Sequence, residues 1–260
     1  MKLSQKFDEL EQKNETALIA YTTGGFPSLQ DSMENIRILS QAGADIIEVG
    51  IPFSDPIADG PIIQTASQIA LENGATLEKI ISEIQKLSVS CPLVMMSYIN
   101  PLIAYGKEKL FQDLKRVKIS GLIVPDLPIE ESEDWIRLSK QFEIDLIFFV
   151  TPTSTEARMK FVAEKSTGFI YCISITGTTG VRNQLPDELF DLIVKMKTIT
   201  ERPLAVGFGI STPEHVKLLA EKVEGVIIGS RFIQAIKTKE NLSNLVGQFK
   251  KATQRERSSS

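Results

Sequence analysis

The run Glu48-Val49-Gly50-Ile51-Pro52-Phe53-Ser54-Asp55-Pro56-Ile57-Ala58-Asp59-Gly60-Pro61 holds the densest set of chemically useful side chains in the sequence. Glu48 interrupts the apolar stretch Ile46-Ile47-Val49, and a carboxylate sent into a core is costly unless it is paired or functional. Side chains alternate along a strand, so Glu48 points opposite to Ile47 and Val49. Asp59 follows on a loop close enough to return over the end of that strand. A structural reading stays open at each position, with Glu48 as a salt-bridged acid and Asp55 and Asp59 as turn residues near Gly60.

A second set is spread over three late segments. These are Ser174-Ile175-Thr176-Gly177-Thr178-Thr179-Gly180, Gly207-Phe208-Gly209-Ile210-Ser211 and Gly229-Ser230-Arg231-Phe232. Glycines let the backbone come close to an anion, Ser and Thr add hydroxyl donors, and helix N-termini supply oriented N–H groups. A dinucleotide fingerprint is excluded, because Gly207-x-Gly209 runs into Ser211 and Thr212 without a third glycine. Tyr21, Met96, Tyr98, Ile123, Leu127, Phe149, Tyr171 and Phe208 stand at strand ends and supply candidate pocket walls. Tyr98 and Tyr171 stand out among them, because a buried phenol needs a hydrogen-bond partner.

Composition narrows the chemistry further. The chain has 260 residues, 29 Lys+Arg against 33 Asp+Glu, a net charge of −4, one histidine and two cysteines. His215, Cys91 and Cys172 are far apart in sequence, so no ligand-spaced metal cluster is expected. A disulfide-stapled fold needs more cysteines, and the mild acidity without a basic stripe argues against nucleic acid. Apolar runs such as Ile144 to Val150 are too short to cross a membrane, and Met1 to Thr16 is too charged for a signal peptide. A cytoplasmic protein is expected, with chemistry carried by carboxylates, hydroxyls and backbone amides. His215, just inside a predicted helix, reads as a packing or surface residue.

The elements that must position these residues follow from the pattern of apolar runs. Eight candidate strands appear: Leu18–Thr23, Ile46–Phe53, Leu93–Ile99, Gly121–Pro125, Leu146–Thr151, Phe169–Ile175, Leu204–Phe208 and Val226–Gly229. Near-continuous apolar runs of this length suit parallel strands covered on both faces. Between them lie helical periods: Leu29, Met33, Ile36 and Leu39 share one face behind a Ser28-x-x-Asp31 start, and Gly43 supplies a stop. Thr212-Pro213-Glu214 is an N-cap with proline in the first turn. Strand–helix alternation repeated eight times fits a single (β/α)8 barrel, the TIM-barrel architecture, over residues 1–260; a doubly wound open sheet is the alternative. Residues 1–16 predict an added helix covering the barrel floor. The segment Ser54–Cys91 has room for an extra element, and Lys250–Ser260 reads as a frayed tail.

The Glu48–Pro61 run resembles the signature of the tryptophan synthase alpha chain family. Tyr21-Thr22-Thr23-Gly24-Gly25-Phe26-Pro27, Met95-Met96-Ser97-Tyr98-Ile99-Asn100-Pro101, Pro125-Asp126-Leu127-Pro128 and the Gly207-Phe208-Gly209-Ile210 and Gly229-Ser230 loops fit it too, in order over nearly the whole chain. The resemblance implies a lyase that cleaves indole-3-glycerol phosphate to indole and glyceraldehyde 3-phosphate by a retro-aldol reaction. It places Glu48 and Asp59 at the catalytic positions. Phosphate falls at Gly180, Gly209, Gly229 and Ser230, and an indole pocket at Tyr21, Met96, Tyr98, Tyr171 and Phe208. Glu48 is then the general acid/base, which requires a raised pKa, and Asp59 the ionised acceptor of the indole N–H. Thr179 is implied to hold Asp59, and Tyr171 to assist proton transfer. Thr178 stands where family members often carry valine.

The same resemblance implies no cofactor in this chain and a beta-chain partner that uses pyridoxal phosphate, in an α2β2 assembly. Pro52, Asp55 and Asn100 are the expected partner-facing residues. A stand-alone lyase and a catalytically silent subunit are the competing readings. A sugar-phosphate isomerase is a remoter one, since it wants an active-site histidine.

Overall fold

The computed structural model describes residues 1–174 and 185–255. The order is α1 (Leu3–Gln12), β1 (Ala17–Thr23), α2 (Leu29–Gln41), β2 (Ile46–Gly50), α3 (Pro61–Glu72), α4 (Leu77–Ile84), β3 (Leu93–Met96), α5 (Ile99–Tyr105) and α6 (Lys107–Arg116). Then come β4 (Ile119–Ile123), a 3-10 turn (Ile129–Glu131), α7 (Glu133–Phe142), β5 (Asp145–Ile147), β6 (Phe149–Val150), α8 (Glu156–Lys165) and β7 (Ile170–Ile173). The last elements are α9 (Asp187–Ile199), β8 (Leu204–Gly207), α10 (Pro213–Ala220), β9 (Gly225–Ile228), α11 (Ser230–Thr238) and α12 (Leu242–Ala252).

All strand pairs are parallel, in the order β5-β4-β3-β2-β1-β9-β8-β7-β6. β1 bonds to both β2 and β9, so the first and last strands meet. The two ends of the ladder, β5 and β6, are consecutive in the chain and flank the buried Phe148. The predicted fifth strand is therefore one extended segment in two pieces, one bonding back to β4 and the other forward to β7. With that segment counted once, eight strands ring a barrel, as the sequence pattern anticipates. Every residue of β1, β2, β3, β8 and β9 is buried, which explains their unbroken apolar character.

The predicted caps form. Ser28 Oγ accepts the Asp31 N–H at 3.1 Å and Thr212 Oγ1 accepts the His215 N–H at 3.3 Å. Helix α1 closes the floor of the barrel with Leu3, Phe7 and Leu10 buried. The Leu3 Cδ1 methyl fills the space beside Gly121 and Gly168 where side chains would otherwise stand, and the Phe7 ring lies 6.0 Å from that of Phe169. The long connection after β2 holds two helices, α3 and α4, and a short α5 follows β3 without having been expected.

The first part of the expected frayed tail, residues 250–255, is instead held in place. Helix α12 continues through Ala252, and Lys250 Nζ bonds both oxygens of Asp45 (2.8 and 3.0 Å) and Glu15 Oε2 (2.7 Å). Arg255 Nε donates to Thr16 Oγ1 at 3.1 Å. Residues 250–255 thus fasten the end of α12 to the start of β1, and residues 256–260 lie outside the described residues. Among the described residues, no helix is long and apolar enough to cross a membrane.

Candidate active site

Glu48 lies on β2, paired in register with Tyr21 on β1 and Val94 on β3. It is 1% exposed, and its Oε2 has no hydrogen-bond partner. Burial pushes the carboxyl up to about 8, with the charge of Asp59 adding to the shift. A glutamate held this way carries its proton at neutral pH and has an oxygen free for a reacting group.

Asp59 sits on the turn after β2, where its own N–H bonds Pro56 O at 3.0 Å and its carbonyl accepts from Gln64 Nε2 at 2.8 Å. The Tyr98 hydroxyl ties this turn to the end of β3: it accepts the Ala58 N–H at 3.0 Å and donates to Asp59 Oδ2 at 3.1 Å. Burial raises the Asp59 carboxyl to about 6, against the lowering effect of the Tyr98 bond. Two neighbouring acids are therefore pushed apart, one protonated and one ionised near pH 7, the usual mark of divided acid and acceptor roles.

Two more phenols reach the same end of the barrel through glycine slots. The Tyr21 ring leans over Gly50, and the Tyr171 ring leans over Gly207; a Cβ at either glycine would overlap the hydroxyl end of the ring. Both phenols are held far above their usual ionisation range, by burial first and then by neighbouring carboxylates, so they stay neutral. The Tyr171 ring also packs at a tilt against those of Phe149 (4.9 Å) and Phe208 (6.0 Å), and Phe53 lies 5.3 Å from Tyr98. With the buried Met96 at the end of β3, these rings make an apolar surround for an aromatic group.

The late glycine loops are neighbours because β8 pairs with β9. Phe208 and Gly209 both have positive φ, 69° and 78°. Ser174 Oγ donates to the Phe208 carbonyl at 2.8 Å and helps hold this left-handed turn. Gly229 caps α11 and Ser230 begins it, so the first N–H groups of that helix lack partners within it, as an anion site requires.

Most expected site residues converge, while some do not. Glu48, Asp59, Tyr21, Met96, Tyr98, Tyr171, Phe208, Gly209, Gly229 and Ser230 stand at the carboxyl ends of the strands. Thr179 and Gly180, with Thr178, lie outside the described residues. Of the three expected partner-facing residues, Pro52 is buried in the chain, while Asp55 and Asn100 are exposed. His215 is buried on α10, with Nδ1 accepting the Ser211 N–H at 3.5 Å, a packing role as expected. Among the described residues no group of His, Cys, Asp and Glu is placed to hold a metal. Sequence reasoning gave no role to Gly50 or Asp126, and did not foresee that Gly207 serves as a slot for a phenol. A glycine inside an apolar strand was the available signal for the two slots.

Comparison with known proteins agrees with this geometry. The family model for the tryptophan synthase alpha chain matches residues 7–259. The tryptophan synthase alpha chain of Carboxydothermus hydrogenoformans is 44% identical over 238 residues, covering 90% of this chain and 89% of the relative. That of Methanosarcina mazei is 43% identical over 254 residues, covering 96% and 93%. A solved structure of Mycobacterium tuberculosis tryptophan synthase superimposes with a TM-score of 0.93 at 33% identity, covering 98% of each chain. With barrel, signature run and relatives in agreement, this chain belongs to the tryptophan synthase alpha chain family.

Proposed function

We propose that this chain, as a single barrel domain, cleaves indole-3-glycerol phosphate to indole and glyceraldehyde 3-phosphate. The observation that carries this reading is the pair Glu48 and Asp59, near neutrality one protonated and one ionised, within a ring of aromatic side chains. Glu48 donates its proton to indole C3, which makes the ring an electron sink. Asp59 accepts a hydrogen bond from the indole N–H and stabilises the positive charge that develops there. The hydroxyl on the carbon attached to C3 then loses its proton to the Glu48 carboxylate. The electron pair left on that oxygen forms the C=O bond of the aldehyde, the C–C bond breaks, and its electron pair returns to the ring as indole. Glu48 ends the cycle protonated, as it began.

The Gly209 turn and the Gly229–Ser230 start of α11 hold the phosphate through backbone N–H groups and the Ser230 hydroxyl, with Gly180 as a further contributor. Tyr21, Met96, Tyr98, Tyr171 and Phe208 surround the indole. Tyr171 stays neutral and acts as a hydrogen-bond donor to the reacting oxygen. Thr179 steadies Asp59. The chain itself needs no cofactor and works in the cytoplasm.

The partner is a beta chain carrying pyridoxal phosphate, in an α2β2 assembly that receives the indole. Asp55 and Asn100 face it, together with Ile57 and Ile103, large apolar side chains 72% and 54% exposed beside them. Product analysis tests the reaction: the purified chain with indole-3-glycerol phosphate should give indole and glyceraldehyde 3-phosphate in equal amounts. Absence of indole, both alone and with an added beta chain, would refute it.

A further inference from the structure

Helix α5 starts without a cap of its own. Its N-cap residue is Tyr98, whose side chain makes no capping bond. The first helical N–H, on Ile99, is met instead from another element: Asp126, just after β4, accepts it through Oδ1 at 2.8 Å. At the far end of α5, the Tyr105 hydroxyl donates to Asp113 Oδ2 on α6 at 2.6 Å. The short helix is therefore pinned at both ends by carboxylates that belong to its neighbours.

Tyr98 is the residue directly before that pinned N–H, and it is also the donor to Asp59 Oδ2 and the acceptor for Ala58 N–H. We infer that Asp126 is a positioning residue for the reaction: by fixing the start of α5 it aims the Tyr98 hydroxyl at Asp59 and so holds the loop carboxylate in place and ionised. This inference rests on the proposed reaction for its kinetic readout. Asp126 is half-buried and, among the described residues, makes no hydrogen bond to Asp59, so its effect passes through Tyr98. Among the described residues, the titratable groups that face Asp59 are Glu48 on β2, Tyr21 on β1, Tyr98 ahead of α5 and Tyr171 on β7. Of these, Tyr98 is the one bonded to it.

The test compares D126A, D126N, Y98F and the double variant D126A/Y98F. Losing the Tyr98 bond removes a charge-assisted donor from Asp59, so the acidic limb of the kcat/KM profile should move up by about one pH unit in Y98F, with a loss of about fivefold at pH 6 that approaches tenfold at lower pH. D126A should show the same upward displacement. D126N keeps an acceptor oxygen and should stay close to the unmodified profile. The double variant should be no worse than Y98F alone, because both changes break one path.

An acidic limb unmoved in D126A, or losses that multiply in the double variant, would overturn the inference. If D126A does not fold, Asp126→Ser, with a shorter side chain, carries the test. A carbon-13 titration of the Asp59 carboxyl reads the same displacement without turnover. Failure of the proposed reaction therefore leaves this inference separately decidable.

Discussion

The Tyr21 ring occupies the space that a side chain at position 50 would fill, so Gly50 is the slot for a phenol that stands on the neighbouring strand opposite Glu48. Tyr171 and Gly207 repeat the arrangement between β7 and β8. Replacing Gly50 by alanine should destabilise the fold by about 1–3 kcal/mol through overpacking and reduce indole formation by displacing Tyr21. Pairing it with Tyr21→Leu should recover stability but not activity, whereas pairing with Tyr21→Phe should recover neither, since the ring itself overlaps. Chemical denaturation beside an indole assay distinguishes these outcomes.

The barrel was legible in the sequence for a simple reason. Parallel strands covered on both faces read as apolar runs, and the glutamate inside Ile46–Gly50 broke such a run conspicuously. What escaped notice depends on contacts between distant residues. Lys250 looks like part of a solvated charged tail, yet its ammonium meets acids from the start of β1 and the turn before β2. Helix α5 is seven residues long with Pro101 inside it, too short to show a period, and its cap comes from Asp126.

The fastening at Lys250 should matter to stability. Asp45 is buried, accepts the Leu18 N–H at 2.8 Å, and has its carboxyl pushed up by burial against the lowering effect of Lys250. Lys250→Met leaves this carboxylate without its cation and should cost about 2 kcal/mol, less than a fully buried pair because the ammonium is partly exposed. The double variant Lys250→Met/Asp45→Asn should recover part of that loss. A midpoint in urea unchanged by Lys250→Met would contradict the account.

Leu3 plugs the floor of the barrel and is fully buried. Leu3→Ala should therefore destabilise the protein by about 2–5 kcal/mol, the range for emptying a core leucine site. Because the plug lies at the end opposite Glu48 and Asp59, KM for the substrate should stay within about twofold wherever the variant remains folded. A large rise in KM would mean that the two ends of the barrel are coupled.

Glu48 should also burden stability as pH rises. Its carboxyl titrates at about 8 when folded against the usual 4.5. Below 4.5 both states hold the proton; between 4.5 and 8 the unfolded chain releases it first, so folding stability falls across that window. Glu48→Gln removes this penalty, and its advantage over the unmodified chain should grow with pH to about 2–5 kcal/mol. Urea titrations at pH 5 and pH 8 should show the advantage at the higher pH; a constant difference would mean that Glu48 is not held protonated.

The central claim is that Glu48 works protonated while Asp59 works ionised. The direct measurement is kcat/KM for indole formation against pH, for the unmodified chain and for Glu48→Gln. The account predicts a bell with limbs near the values of the pair, about 6 and about 8, and a loss of about 10²–10⁴-fold in the variant. A variant that keeps most of its activity, or a profile flat from pH 5 to pH 9, would contradict it.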